Sequence, residues 1–398
     1  MDKTLAVVAK AFSLALVMVM ICSSTAICQD KEDEKSKGMC EQCVKDSLGS
    51  LLENPNIVVT KTPCLLCRKG DVNPLLQGKI CEACAKAEGI CLRCLMPMEA
   101  GWPKALDEVA TPAADKIVFI SDRDGENEVF IMDGDGKNPT QLTFNGANDL
   151  DPAVSPDGKF IVFTSKLDKQ WDLYLTDIEG KHLRRLTRSG EPELSACWFP
   201  DGQRLLFMLQ EPAGLSLCAI ARDGSEMKAL ELPEEYKGKA VGFPDISPDG
   251  KKIAFVAGEG KAGATWEICV RDEKGEVAQL TKNKVFDSAP CWSPDGKKIL
   301  YVSNSDLSKE FETDEVWVMD SNGKNAKQLT KNSFLDSNPR WSGDGKKVVF
   351  ITCRDKAKEG VADIYAMDVS GKNPTNLTKA ATKETSPRWV KGASGKKK

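Results

Sequence analysis

The sequence predicts an all-β protein, a six-bladed β-propeller of four-stranded blades closed by the C-terminal strand and preceded by a small cysteine-rich, zinc-ribbon or knuckle-like module. Three observations lead there. An Asp-Gly phrase recurs as "AVSPDGKFIVFTS", "CWFPDGQRLLFML", "DISPDGKKIAFVA", "CWSPDGKKILYVS" and "RWSGDGKKVVFIT", with Gly158, Gly202, Gly250, Gly296 and Gly345 spaced by 44, 48, 46 and 49 residues. That spacing is the length of a propeller blade. A second phrase interleaves with it in six copies, from "EVFIMDGDGKNPTQLT" to "DIYAMDVSGKNPTNLT", each an apolar-alternating strand, a turn and a short strand. Finally, the repeat region begins at "KIVFIS" without a strand of the "P-x-W-S" kind before it and ends on a bare "SPRWV" at residues 386–390. The last strand then completes the first blade, so the ring has no open edge.

Taken in chain order, residues 1–26 read as a signal peptide. Lys3 and Lys10 precede the apolar run "AFSLALVMVMI", and "SSTA" offers small residues for cleavage after Ala26. Export to the periplasm follows, with no stable transmembrane segment after cleavage. A lipoprotein or an uncleaved N-terminal anchor is the alternative, although Cys22 and Cys28 both follow Ile rather than a small residue. Residues 27–38 form a charged linker.

Residues 39–95 carry four C-x-x-C pairs: Cys40 with Cys43, Cys64 with Cys67, Cys81 with Cys84, and Cys91 with Cys94. Two such knuckles supply four thiolates to one tetrahedral zinc, so eight cysteines fill up to two closed, structural sites. Sequential and interleaved pairing both remain open. In an exported protein the same cysteines can instead form four disulfides, and iron or redox use is a third reading. No C-x-x-C is followed by His, which excludes c-type haem attachment.

Residues 96–115 are a linker, residues 116–390 the propeller and residues 391–398 a basic tail. Within the propeller, the "P-x-W-S-P-D-G-K" and "E-I-Y-x-M-D-x-x-G" phrases resemble the WD40-like (PD40) repeats of the TolB family. The resemblance implies a six-bladed, non-enzymatic binding platform in the periplasm, whose channel mouth takes up a protein or peptide partner. That family carries a mixed α/β domain ahead of its propeller, where this chain has the cysteine module, so the fold transfers more directly than the role. Related repeats also build the propellers of prolyl-oligopeptidase-like enzymes.

The residue three places before the innermost-strand proline reads as Asp149, Glu193, Val241, Asp287, Asp336 and Glu384. Five carboxylates, Asp149, Glu193, Asp287, Asp336 and Glu384, on loops entering the channel would create a negative mouth for calcium or a basic peptide. The competing reading is that each one satisfies its own loop backbone. Trp198, Trp292, Trp341 and Trp389 occupy one place in the innermost strand, and Phe119, Phe163, Phe207, Phe255, Tyr301 and Phe350 one place in the next; both sets are expected between blades. Cys197, Cys218, Cys269, Cys291 and Cys353 are expected as free thiols in strands.

Lys plus Arg, 55, nearly balance Asp plus Glu, 59, which argues against a nucleic-acid surface. One histidine, His182, cannot build the histidine-rich metal site of propeller lyases. No G-x-S-x-G elbow is present. "GEGKAG" leads into a strand rather than a helix, so it lacks the helix N-terminus that a pyrophosphate needs. "DGDGKN" lacks the distal Glu of a calcium loop and reads as a hairpin turn. The favoured function is a binding scaffold without catalysis; the alternative is a carbohydrate-binding or hydrolase- or lyase-type propeller that uses channel-mouth carboxylates.

Overall fold

The structure is a computed structural model and describes residues 90–91, 96–97 and 109–392, apart from 168–169, 213, 259–264, 284, 305–313 and 355–360. Six antiparallel four-stranded sheets follow one another around a ring. The inner strands of blades one to six are Glu384–Val390, Asp149–Val154, Glu193–Trp198, Ala240–Ile246, Phe286–Trp292 and Asp336–Trp341. Blade one joins the two ends of the domain: Glu384–Val390 pairs antiparallel with Lys116–Ser121, from Glu384 with Ser121 to Val390 with Lys116, with one register shift between Thr385 and Arg388. The expected closure by the C-terminal strand is therefore found. The only helical element among the described residues is the 3-10 turn Glu234–Tyr236, and none of them forms a helix long and apolar enough to cross a membrane.

Local chemistry explains why the repeat phrases fold alike. In "SPDG", Ser293 Oγ donates to Asp295 Oδ1 (2.7 Å) and accepts from Lys298 N (2.9 Å), while Gly296 N closes the turn on Ser293 O (2.8 Å). Gly296 has φ of +69°, which an L side chain adopts only with strain. In each "Leu-Thr" the hydroxyl reaches back to the third strand: Thr143 Oγ1 accepts from Val129 N, Thr281 from Ile268 N and Thr330 from Val316 N, at 2.8–2.9 Å.

The second-strand aromatics lie where the sequence placed them. Phe119, Phe163, Phe207, Phe255 and Phe350 are wholly buried and Tyr301 nearly so, each such burial stabilising the fold by about 1.5–3 kcal/mol. Trp198 and Trp341 are buried too, and each indole N–H donates to the preceding blade, to Ala153 O (3.0 Å) and Cys291 O (3.1 Å). These contacts fix one blade against the next.

Ahead of residue 109 the described backbone is one short strand pair, Ile90–Cys91 with Met96–Pro97. Of the eight cysteines expected to hold metal, Cys40, Cys43, Cys64, Cys67, Cys81, Cys84 and Cys94 lie outside the described residues, and only the backbone of Cys91 is placed.

Candidate functional site: the central channel

Every inner strand breaks register with its second strand at one place, between Leu150 and Ala153, Leu194 and Cys197, Gly242 and Asp245, Ser288 and Cys291, Ser337 and Arg340, and Thr385 and Arg388. Inside each break one residue is left-handed: Asp151, Ser195, Phe243, Ala289, Asn338 and Ser386 have φ between +46° and +51°. None of these is glycine, so each costs on the order of 1 kcal/mol or more. A bulge of this kind re-aims the following side chains. Here it turns the residue two places later, the x of "P-x-W", towards the ring axis in every blade. Those residues are Ala153, Cys197, Asp245, Cys291, Arg340 and Arg388, and they line two adjoining cavities of about 210 and 240 Å³.

The wall is unevenly charged. Arg340 and Arg388 stand on neighbouring blades six and one and border both cavities. Burial, and then the charge of Arg340, bring the Arg388 guanidinium down to about 9. Asp245, on blade four, accepts Trp292 N at 2.7 Å; burial pushes its carboxyl up to about 6, against the pull of Arg340. Asp151 accepts Ser195 Oγ (3.0 Å) and Ser386 Oγ (3.3 Å), bridging the blades on either side of its own. Burial holds the Cys197 thiol well above its usual range and the Cys291 thiol at about 11. Cys197, Cys218, Cys269 and Cys291 are free thiols, as expected.

The carboxylates expected as a channel-mouth ring are elsewhere. Asp149, Glu193, Asp287, Asp336 and Glu384 are fully buried at the first or second residue of their inner strands and line neither cavity. They lie within the sheets because pairing begins at or before these residues rather than three places later, so what reads as a loop is strand. Each is engaged locally: Asn145, Asn283 and Asn332 side-chain amides donate to Asp149, Asp287 and Asp336 at 2.7–3.0 Å. Arg354 adds a further contact to Asp336, and Glu193 receives Thr187 Oγ1 and Leu173 N.

These acids also face acids of the preceding blade. Burial and then Glu128 raise Asp149 well above the carboxylate range, and burial pushes Glu193 up to about 7 with Asp172 beside it. Val241, the apolar exception in the series, falls at the boundary of blades three and four, where Tyr236 packs on Phe255 instead. Among the described residues no group of three or more His, Cys, Asp or Glu side chains is arranged to hold a metal ion.

Other motifs behave as their local chemistry suggests. His182 is a turn residue with φ of +57°, its Nδ1 2.8 Å from Asp177 Oδ2. In "DGDGKN" the Asp133 carboxylate takes the Asn138 amide (2.7 Å) and Gly136 N closes on Asp133 O (2.8 Å), so it is a turn. "GEGKAG" joins the strands Ile253–Gly258 and Trp266–Arg271, though most of it lies outside the described residues. The channel residues themselves were missed in the sequence. Their signal was the x of "P-x-W", which changes from blade to blade while its neighbours repeat.

Comparison with known proteins places this geometry. A family model described as the TolB beta propeller domain, PD40, matches residues 109–238, 166–314 and 239–396. Among solved structures, TolB from Acinetobacter baumannii is 23% identical, with a TM-score of 0.57 over 72% of this chain and 69% of that one. A putative TolB from Agrobacterium tumefaciens is 18% identical, with a TM-score of 0.51 over 66% and 88%. The hydrazine synthase of Kuenenia stuttgartiensis is 15% identical, with a TM-score of 0.58 over 74% of this chain but 49% of that one. At these identities the likeness is one of fold. No curated protein matches the sequence.

Proposed function

The chain belongs to the PD40 family of TolB beta-propeller domains, and from that premise we propose that it is an exported, non-enzymatic binding platform whose central channel takes up a segment of a protein or peptide partner. One observation carries this reading. The six inner strands repeat one strained bulge, yet the side chains it delivers to the axis are Ala, Cys, Asp, Cys, Arg and Arg. A frame held constant at a local energetic cost, bearing an individual wall, is the arrangement of a recognition surface. The buried carboxylates, already committed to Asn, Arg and Thr partners, are not placed for acid–base work on a sugar.

The signal-peptide reading of residues 1–26 supports a periplasmic location, and the C-x-x-C pairs support a structural zinc module that docks or orients the partner. To calcium the wall offers two carboxylates, Asp151 and Asp245, which already accept the Ser195 and Ser386 hydroxyls and Trp292 N.

Selection of peptides from a random displayed library on the immobilised full chain tests the platform. Peptides should be recovered whose binding is lost in Ala153→Trp, which fills the channel, and kept in Met227→Ala, which alters an exposed surface residue. Recovery of none, or of peptides indifferent to Ala153→Trp, overturns the reading.

A further inference from the structure

We propose that the channel is built for carboxylates, and that the segment it takes up is acidic, its Asp or Glu side chains seated on the paired guanidinium groups of Arg340 and Arg388. This rests on the platform reading above and names the chemistry of the partner.

Arg340 and Arg388 carry donors without matching acceptors. A guanidinium carries five N–H groups. Among the described residues Arg340 donates one to Pro339 O (2.8 Å) and Arg388 one to Pro387 O (3.1 Å), and neither forms an ion pair with a carboxylate. The channel does hold carboxylates, and the charges of Asp151 and Asp245 act on Arg388, but among the described residues neither is hydrogen-bonded to a guanidinium: Asp245 Oδ2 accepts from Trp292 N and Asp151 from two serine hydroxyls. The two arginines therefore retain most of their hydrogen-bonding capacity where the two cavities meet.

The second cavity sharpens the sign. Its lining includes three cations, Arg340, Arg388 and Lys391, and no acidic residue. Trp292, Trp341 and Trp389 also border it. Burial, and after it the charge of Arg340, lower the pKa of Arg388, because a half-buried positive group beside another is raised in energy. An anion between them relieves that cost, and a planar guanidinium meets a carboxylate through two parallel hydrogen bonds. The surrounding rim does not oppose approach, because the turn aspartates Asp249, Asp295 and Asp344 are each followed two residues later by a lysine. A carboxylate next to an apolar side chain fits a pocket of cations flanked by indoles. The sign is thus opposite to that of the carboxylate ring expected from the sequence.

The test uses three fluorescein-labelled nonapeptides, identical except that three positions carry Glu, Gln or Lys, titrated against the full chain and followed by anisotropy. The Glu peptide should bind at least about tenfold more tightly than the Gln peptide, a preference worth about one decade in Kd. The double variant Arg340→Gln/Arg388→Gln should lose that preference, while Arg340→Lys/Arg388→Lys, which keeps the charge, should retain part of it. Thermal melting shows whether each variant is folded. Equal binding of Glu and Gln peptides, or a Glu preference that survives in the folded Gln variant, overturns the proposal. If the Gln or Lys peptide binds best and is lost in Ala153→Trp, the channel still takes up peptide and only the carboxylate chemistry fails. If no peptide binds but sulfate or acetate changes tryptophan fluorescence in an arginine-dependent way, the site serves a small oxyanion and the acidic-segment proposal is wrong. No response to any probe overturns it and counts against the platform as well.

Discussion

The guanidinium of Arg123 donates to Glu384 Oε1 at 3.0 Å across 261 residues of sequence. Arg123 follows the first strand of the propeller and Glu384 opens the last, so the bond ties the ends of the domain within one blade. Ser121 Oγ and Thr382 Oγ1 donate to the same carboxylate oxygen, and Lys383 N donates to Asp122 Oδ1 (2.8 Å) alongside. Ring closure thus has a polar clasp at the end of the paired strands.

Removing one partner of the clasp leaves a buried charge behind. Arg123→Ala should destabilise the propeller by about 3 kcal/mol, as for other broken buried pairs. Lys237→Ala, which breaks a pair exposed on both sides, should change stability by no more than about 0.5 kcal/mol. Denaturant unfolding of both variants checks the contrast, and equal small effects would show that closure rests on the strand pairing alone.

Carboxyls buried in the sheets predict an unusual pH profile. Glu193, held up to about 7, and Asp314, held up to about 8, bind protons in the folded chain that they release when unfolded. Their folded pKa values lie above the unfolded ones, so the stability is present in full below the unfolded pKa and is lost as pH rises through the folded one. Between about pH 5 and pH 8 the melting temperature should therefore fall, with Glu193 alone responsible for up to about 3 kcal/mol. Glu193→Gln, which mimics the neutral acid, should flatten the slope and melt at or above wild type at pH 8. A wild-type melting temperature that rises across this range would contradict the assignment.

Much of the ring was legible in the sequence because its causes are local and repeated. The Asp-Gly turns at Gly158 to Gly345, the short apolar runs of strands such as Ile253–Gly258 and the aromatic at Phe119 or Phe255 each need only a few neighbouring residues to be recognised. Six copies of the strand-turn-strand phrase that interleaves with the five Asp-Gly turns then fix the blade number. The site was not legible for a physical reason: a bulge is a one-residue slip in pairing, and a slip exchanges the faces of every residue beyond it. Without the left-handed turn at Ser195 or Asn338, nothing in "SACW" or "NPRW" says that Cys197 and Arg340 face the axis. Asp149 and Asp287 read as channel residues for a different reason: they look like loop but are already paired, with Ser165 and Ser303, before the slip begins.

The cysteine pairs carry a prediction from composition and spacing. Metal analysis of the purified chain should find about two zinc ions, released by a chelator together with the appearance of eight reactive thiols, those of Cys40, Cys43, Cys64, Cys67, Cys81, Cys84, Cys91 and Cys94. Because Cys218, Cys269 and Cys291 are buried in the propeller while Cys197 and Cys353 are only half-buried, native alkylation before and after chelation, in a variant carrying Cys28→Ser, Cys197→Ser and Cys353→Ser, reports on the C-x-x-C cysteines. No zinc and eight cysteines already oxidised would replace the knuckles with disulfides.

Glycine at the outer turns answers to two constraints that can be separated. Gly180 has φ of +77°, and a Cβ there would lie 2.5 Å from Leu142 O on the preceding blade. Gly190 has φ of +87° with nothing within 4 Å of its would-be Cβ. Gly190→Ala should cost only the left-handed strain, about 1–2 kcal/mol. Gly180→Ala must bear that strain and also force two blades apart, since a backbone carbonyl cannot rotate away as a side chain does. Its cost in denaturant unfolding should be at least about twice as large, given that overpacking adds roughly 1–3 kcal/mol. Equal costs would mean that blade spacing in this ring is soft, and that the turn glycines are set by backbone conformation rather than by the approach of neighbouring blades.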